Sequence, residues 1–143
     1  LTVFENLAIV CNNSDLCHDI LEELHLSDCS KKYPKELSGG MKRRVALGRA
    51  LAYDGDVFVM DEPFKGIDVI LKEIVMLKVE KAVSKKTAVI VTHEIDEAVK
   101  LGDRIVVLGG HPVKTVCSFE NTKTLEDVGY IKNFIMKNME SDF

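Results

Sequence analysis

The apolar run Val57-Phe58-Val59-Met60 ends in Asp61-Glu62-Pro63. Ligands of open α/β sheets sit outside the carboxyl ends of strands, so a carboxylate pair there is placed for chemistry. Asp61 can hold Mg2+, usually through water, and Glu62 can take a proton from an attacking water. Earlier, Ser38-Gly39-Gly40 opens a helical stretch. The first turn of a helix has unpaired N–H groups and partial positive charge, which suit phosphate. Glycines let the backbone approach an anion closely, and the serine hydroxyl adds a donor. Lys31, Lys32, Lys35, Lys42, Arg43, Arg44 and Arg49 lie close by in sequence, opposed by Glu36 alone. A second apolar run, Ala88-Val89-Ile90-Val91, ends in Thr92-His93, where an imidazole can donate to a phosphate oxygen. Each signal has a plain alternative: Ser38 an ordinary N-cap beside a solvated basic face, Asp61-Glu62 an acidic turn, His93 a satisfied strand-end histidine. Weak independent signals in a fixed order multiply, and here all three point to phosphate.

The elements that must position these groups follow from periodicity and caps. Thr2 caps a first helix, with Glu5 completing a capping box and Val3, Leu7 and Val10 on one face. A second helix starts near Ser14 and carries Leu16, Ile20, Leu21 and Leu24 at helical spacing. Ser27 to Pro34 is a polar connection, and a third helix runs from Ser38 to about Ala52. The pattern then changes. Val57 to Met60 and Thr87 to Val91 are short and uniformly apolar, as strands buried on both faces are. Asp68 caps a helix with Leu71, Ile74, Val75, Val79 and Ala82 inward. Glu94 to Leu101 is a short helix with acids in its first turn, where the macrodipole favours them. Arg104 to Leu108 is a third strand, Gly109-Gly110 turns the chain, and Val113 to Cys117 is a fourth. Thr124 starts a closing helix with Ile131, Phe134 and Ile135. Alternating strands and helices predict an α/β fold with a largely parallel sheet covered by helices.

With 143 residues the chain is one domain by length, and 46% hydrophobic residues are enough for a packed core. A net charge of −4 gives no general attraction to nucleic acid or anionic lipid. No apolar stretch nears the roughly 20 residues of a membrane helix, and no signal peptide is evident. The chain starts at Leu1 rather than at a methionine, so it reads as a fragment or a processed piece. Cys11, Cys17, Cys29 and Cys117 fit no disulfide framework. A zinc site from Cys17, His18, His25 and Cys29 lacks ligand spacing, and reduced cytosolic thiols are the better reading.

The order of these motifs resembles the second half of an ATP-binding-cassette (ABC) ATPase. Leu37 to Asp68 is similar to the signature, Walker B and D-loop, and Thr92-His93-Glu94-Ile95-Asp96-Glu97-Ala98 to the H-loop and its helix. Leu1-Thr2-Val3-Phe4-Glu5-Asn6-Leu7 resembles the stretch after the Q-loop in importer ATPases. The resemblance covers residues 1 to about 117. It implies a helical subdomain with the signature motif over residues 1–52. Residues 53–143 would be the C-terminal half of a RecA-like P-loop NTPase core. ATP and Mg2+ are the implied ligands, in a head-to-tail dimer of two ABC ATPase subunits. Ser38, Gly39 and Gly40 would contact the γ-phosphate held by the other subunit, and Asp68 would cross the dimer interface. Asp61 would serve Mg2+, Glu62 would be the general base, and His93 would contact the γ-phosphate.

Departures from the family pattern are visible. Arg43 stands where glutamine is common, and Lys65-Gly66-Ile67 replaces the usual small-Ala-Leu before the D-loop Asp68. No GxxxxGK followed by Ser or Thr occurs, and the Q-loop glutamine and adenine-stacking aromatic are missing, as truncation would explain. LSGGM, DEPF and THEIDEA look most like importer ATPases of the nitrate, sulfonate and taurine group. That implies a transmembrane permease as partner, an extracytoplasmic solute-binding protein indirectly, no nucleic acid, and a peripheral place on the cytoplasmic face of the cell membrane. The alternatives are an inert or regulatory half-domain without ATPase activity of its own, or a non-transport ABC ATPase.

Overall fold

Helix starts in this chain are written in side chains that hydrogen-bond the backbone. In the computed structural model, which describes residues 1–53, 55–121 and 128–134, helix α1 spans Val3–Ala8 behind a Thr2 cap. The capping box is complete: the Glu5 N–H donates to Thr2 Oγ1, and the Thr2 N–H donates to Glu5 Oε2 at 2.7 Å. That last bond holds the Glu5 carboxyl below its usual range. Helix α2, Ser14–Glu23, starts from Asn13, whose side-chain oxygen accepts from the Asp15 and Leu16 N–H groups. Helix α3 spans Gly39–Tyr53. The three pack on one another. A Cβ at Gly48 of α3 would stand 3.0 Å from Leu24 Cδ1 and 3.3 Å from Ile20 Cγ2, so the glycine permits this close approach.

Two compact units divide the chain, Leu1–Val91 and Thr92–Phe143. The first contains α1 to α3, strand β1 (Val57–Asp61), helix α4 (Val69–Val83) and strand β2 (Thr87–Val91). β1 and β2 are parallel, in register from Val57 with Thr87 to Asp61 with Val91. An ion pair between Lys78 and Glu23 joins α4 to α2. The core of this unit includes Val3, Leu7, Leu21, Leu24, Phe64, Val75 and Val79, all nearly inaccessible.

The second unit holds helix α5 (Ile95–Leu101) and a hairpin of β3 (Arg104–Gly109) and β4 (Lys114–Glu120), with residues 128–134 helical. Val99, Ile105 and Ile131 form its core, with Ile95, Ala98, Phe119 and Val128 against them. Asn121 Nδ2 donates to the carbonyls of Val99 and Gly102, closing the end of α5.

Several expectations are corrected. β1 and β2 are not covered on both faces: Phe58 and Met60 are buried, while Val57, Val59, Val89 and Val91 are 63%, 77%, 51% and 52% exposed. An apolar run reports that both faces are apolar, and says nothing about whether a layer within this chain covers each. On α2, Leu16 lies outward and Cys17 takes the inward position; on α4, Ile74 is partly exposed and Met76 is buried. Other expected positions hold: Ile20, Leu21 and Leu24, and Leu71, Val75 and Val79, are buried. The β3–β4 pair is antiparallel, because a connection this short cannot make a parallel crossover. Its second strand begins and ends later than the expected Val113 to Cys117. Thr124 and Ile135 of the expected closing helix lie outside the described residues.

Candidate functional site

At the start of α3, Ser38 does what an N-cap does: its Oγ accepts from the Met41 N–H at 3.2 Å, and its carbonyl accepts from the Lys42 N–H. Ser38 and Gly39 are exposed, and Gly40 is half-buried. The plain reading of Ser38 therefore holds in this structure. It leaves the exposed Ser38-Gly39 edge open to a ligand as well.

The basic residues around this turn are only partly a solvated face. Arg44 Nη1 donates to the Leu24 and His25 carbonyls at 2.7 and 3.2 Å, closing the end of α2, where His25 takes a left-handed φ of 52°. Arg43 Nη1 donates to the Lys65 carbonyl at 3.1 Å. These two guanidinium groups work inside the chain.

Asp61 closes β1 and is exposed. Glu62 is next, with φ 46°, left-handed for a residue with a β-carbon, while its N–H donates to the Val91 carbonyl at 2.8 Å. Holding such a residue there costs about 1–3 kcal/mol, a strain that clusters at functional sites. The bond to Val91 extends the ladder one residue beyond β1 and turns the chain sharply at the carboxyl end of both strands. Pro63 and Phe64 are buried and anchor the turn that leads to α4. The Lys65 N–H then returns to the Glu62 carbonyl and the Ile67 N–H to the Phe64 carbonyl, both at 3.2 Å. Asp68 ends the turn as the N-cap of α4, its Oδ1 accepting from the Leu71 N–H at 3.0 Å.

The first unit thus brings the Ser38-Gly39-Gly40 turn against the turn from Glu62 to Asp68. A Cβ at Gly40 would run into the Gly66 carbonyl oxygen, well inside contact distance. Gly66 itself has φ 76°, a conformation that favours glycine. Neither this close approach nor the Glu62 backbone was singled out by sequence reasoning. The one signal for it was a glycine between Pro63 and Asp68, two residues that each demand a turn.

His93 belongs to the second unit. It is exposed, with Nε2 at 3.6 Å from Glu94 Oε1. Beside it Thr92 organises the entry to α5: its Oγ1 accepts from the Glu94 N–H at 3.1 Å and donates to Glu97 Oε2 at 2.7 Å. Glu97 is buried, 3% exposed. Cys17 and Cys29 are buried free thiols; burial pushes the Cys17 thiol up, with Cys11 beside it adding to the effect. Among the described residues no three His, Cys, Asp or Glu side chains gather as a metal site.

Comparison with known proteins finds relatives of the sequence and of the fold. The sequence profile of the ABC transporter family matches residues 1–65. The aliphatic sulfonates import ATP-binding protein SsuB of Bacillus cereus is 36% identical over 155 residues, covering 98% of this chain and 61% of the relative. The osmoprotectant import ATP-binding protein OsmV of Salmonella typhimurium is 41% identical over 120 residues, covering 75% of this chain and 31% of the relative. A solved ATP-binding cassette, dimeric in a post-hydrolysis state with ADP and Pi, superposes with a TM-score of 0.59 at 32% identity, covering 65% of this chain and 41% of that one. The chain spans about 61% of the length of its sulfonate-import relative.

Proposed function

We propose that the chain, whose residues 1–65 match the ABC transporter family profile and which is 36% identical to a sulfonate-import relative, is the signature-to-H-loop portion of an ATP-hydrolysing import subunit. Residues 1–52 serve as its helical subdomain and residues 53–143 as the C-terminal half of its RecA-like core. The observation that carries this reading is Glu62, held left-handed at the carboxyl end of a parallel strand pair, directly after an exposed Asp61. Such a turn sets two neighbouring carboxylates at the carboxyl end of the strand pair, Asp61 exposed and Glu62 half-buried.

Glu62 accepts the proton of the water whose oxygen attacks the γ-phosphorus; the bridging oxygen leaves with ADP. Asp61 is the residue that would hold Mg2+, through water. A solvent-facing carboxylate at a strand end suits that hard cation. When bound, the ion neutralises charge on the nucleotide phosphates. His93 donates to a γ-phosphate oxygen. Ser38, Gly39 and Gly40 contact the γ-phosphate held by a second ABC subunit, and Asp68 lies at the interface with it. The subunit sits on the cytoplasmic face of the membrane against a permease. Among the described residues no helix is long and apolar enough to cross a membrane.

The test uses a chain completed to the length of its relatives. Glu62→Gln keeps the shape and removes the basic oxygen, so ATP binding stays and turnover falls about 10²–10⁴-fold, the usual range for a general base. Hydrolysis near the parent rate assigns the base elsewhere. A second reading is favoured by the absence of GxxxxGK with Ser or Thr: by itself this chain is a half-domain without ATPase activity, which acts only when paired.

A further inference from the structure

Resting on the cassette reading for its functional meaning, we propose that Arg43 is a positioning residue. It fastens the D-loop to the signature helix, so that Ser38 to Gly40 and Asp68 move as one element. Three observations converge on the contact. Arg43, in the second turn of α3, donates from Nη1 to the Lys65 carbonyl at 3.1 Å. One helical turn earlier, Gly40 lies so close to the Gly66 carbonyl that no β-carbon fits between them. Gly66 takes φ 76°, and a Cβ there would sit 3.5 Å from Arg43 Nη1. The guanidinium and Gly40 therefore both meet the same turn.

The residues that make this contact are the ones in which the chain departs from the family pattern. Arg43 replaces the common glutamine, and Lys65-Gly66 replaces a pair of small residues. A glycine in the turn widens the backbone choices of the D-loop. A planar, permanently charged donor reaching its carbonyl narrows them again. The two departures offset each other, and the outcome is a mechanical link. Asp68 caps α4 two residues beyond Gly66, so a displacement of the Ser38 turn by a ligand is passed to the start of α4 without crossing the core.

Backbone amide exchange on this chain tests the link without nucleotide, so its result stands whether or not the cassette reading does. The Lys65 and Ile67 amides are the reporters, since each is bonded within the turn. Arg43→Met keeps the apolar stem and removes the donors; Arg43→Lys keeps a charged donor. In Arg43→Met, exchange at Lys65 and Ile67 should quicken about tenfold, the low end for one charge-assisted hydrogen bond. The melting temperature should fall by only a few degrees, as the loss of one such bond dictates, and Arg43→Lys should recover part of the protection. Unchanged exchange at both amides in Arg43→Met overturns the proposal. So does a uniform rise across α3 and β1, which marks a general structural role.

Discussion

Ser38 has two jobs that point to different experiments. Its hydroxyl already accepts the Met41 N–H, so its value to the fold exists without any ligand. Ser38→Ala should therefore lower stability by about 1 kcal/mol, the usual worth of an N-cap, as thermal melts of this chain would register. Ser38→Asp keeps an acceptor at the cap and should melt like the parent. It also places negative charge where the partner's γ-phosphate is proposed to lie. In a completed chain, ATP should then no longer drive dimerisation, read by gel filtration, while each subunit still binds nucleotide. If Ser38→Asp dimerises with ATP as well as the parent does, the γ-phosphate role is lost and only the cap remains. Glu62 shows the limit of sequence reading at this scale. Its type and place were legible from Asp-Glu-Pro after an apolar run. Its left-handed backbone was not, because that conformation is imposed by the bond to Val91, a residue far along the chain.

Elements were legible where local chemistry decides them. Thr2 and Asp68 cap the helices they were expected to cap, and α3 starts one residue after Ser38, because capping bonds reach only a few residues. Facing directions were less legible. Leu16 and Ile74 fit a helical repeat, yet lie outward, since which of two adjacent apolar residues faces inward depends on what the helix packs against. The strands carry the larger lesson. β1 and β2 are apolar on both faces and covered on one, leaving Val57, Val59, Val89 and Val91 toward solvent. An apolar stripe of this kind fits an element that further chain covers. Val59→Thr separates the two environments. In this chain, where Val59 is exposed, it should change stability by less than about 0.5 kcal/mol. In a chain completed to the relatives' length it should cost about 1–3 kcal/mol, for a hydroxyl buried without a partner. Equal small effects in both would mean that the face stays open.

For the whole molecule, two claims can be separated: what this chain binds, and what the completed subunit joins. The lysine and stacked N–H groups of a phosphate loop make most contacts to nucleotide phosphates, and no such motif occurs here. Calorimetric titration of this chain with Mg-ATP should accordingly show no micromolar site, which would correspond to about −8 kcal/mol. The import assignment reaches further. The relatives named for import differ in what they import, aliphatic sulfonates in one and osmoprotectants in the other, so their likeness to this chain fixes no solute. The import reading of this chain rests partly on Leu1 to Leu7, which resembles the importer-type entry into the helical subdomain. Here the start of α1 is tied to the loop before the signature by two backbone bonds, Val3 N–H to the Lys32 carbonyl and Phe4 N–H to the Ser30 carbonyl, both at 2.9 Å. These two segments also expose Leu1, Ile9 and Tyr33. A short amphipathic helix from a cytoplasmic loop of the permease would find apolar anchors there. The completed subunit should co-purify with the permease encoded beside it. Ile9→Glu should weaken that association while leaving ATP turnover of the free subunit unchanged. A completed subunit that instead fractionates with DNA or ribosomes would retain the cassette fold and lose the import role.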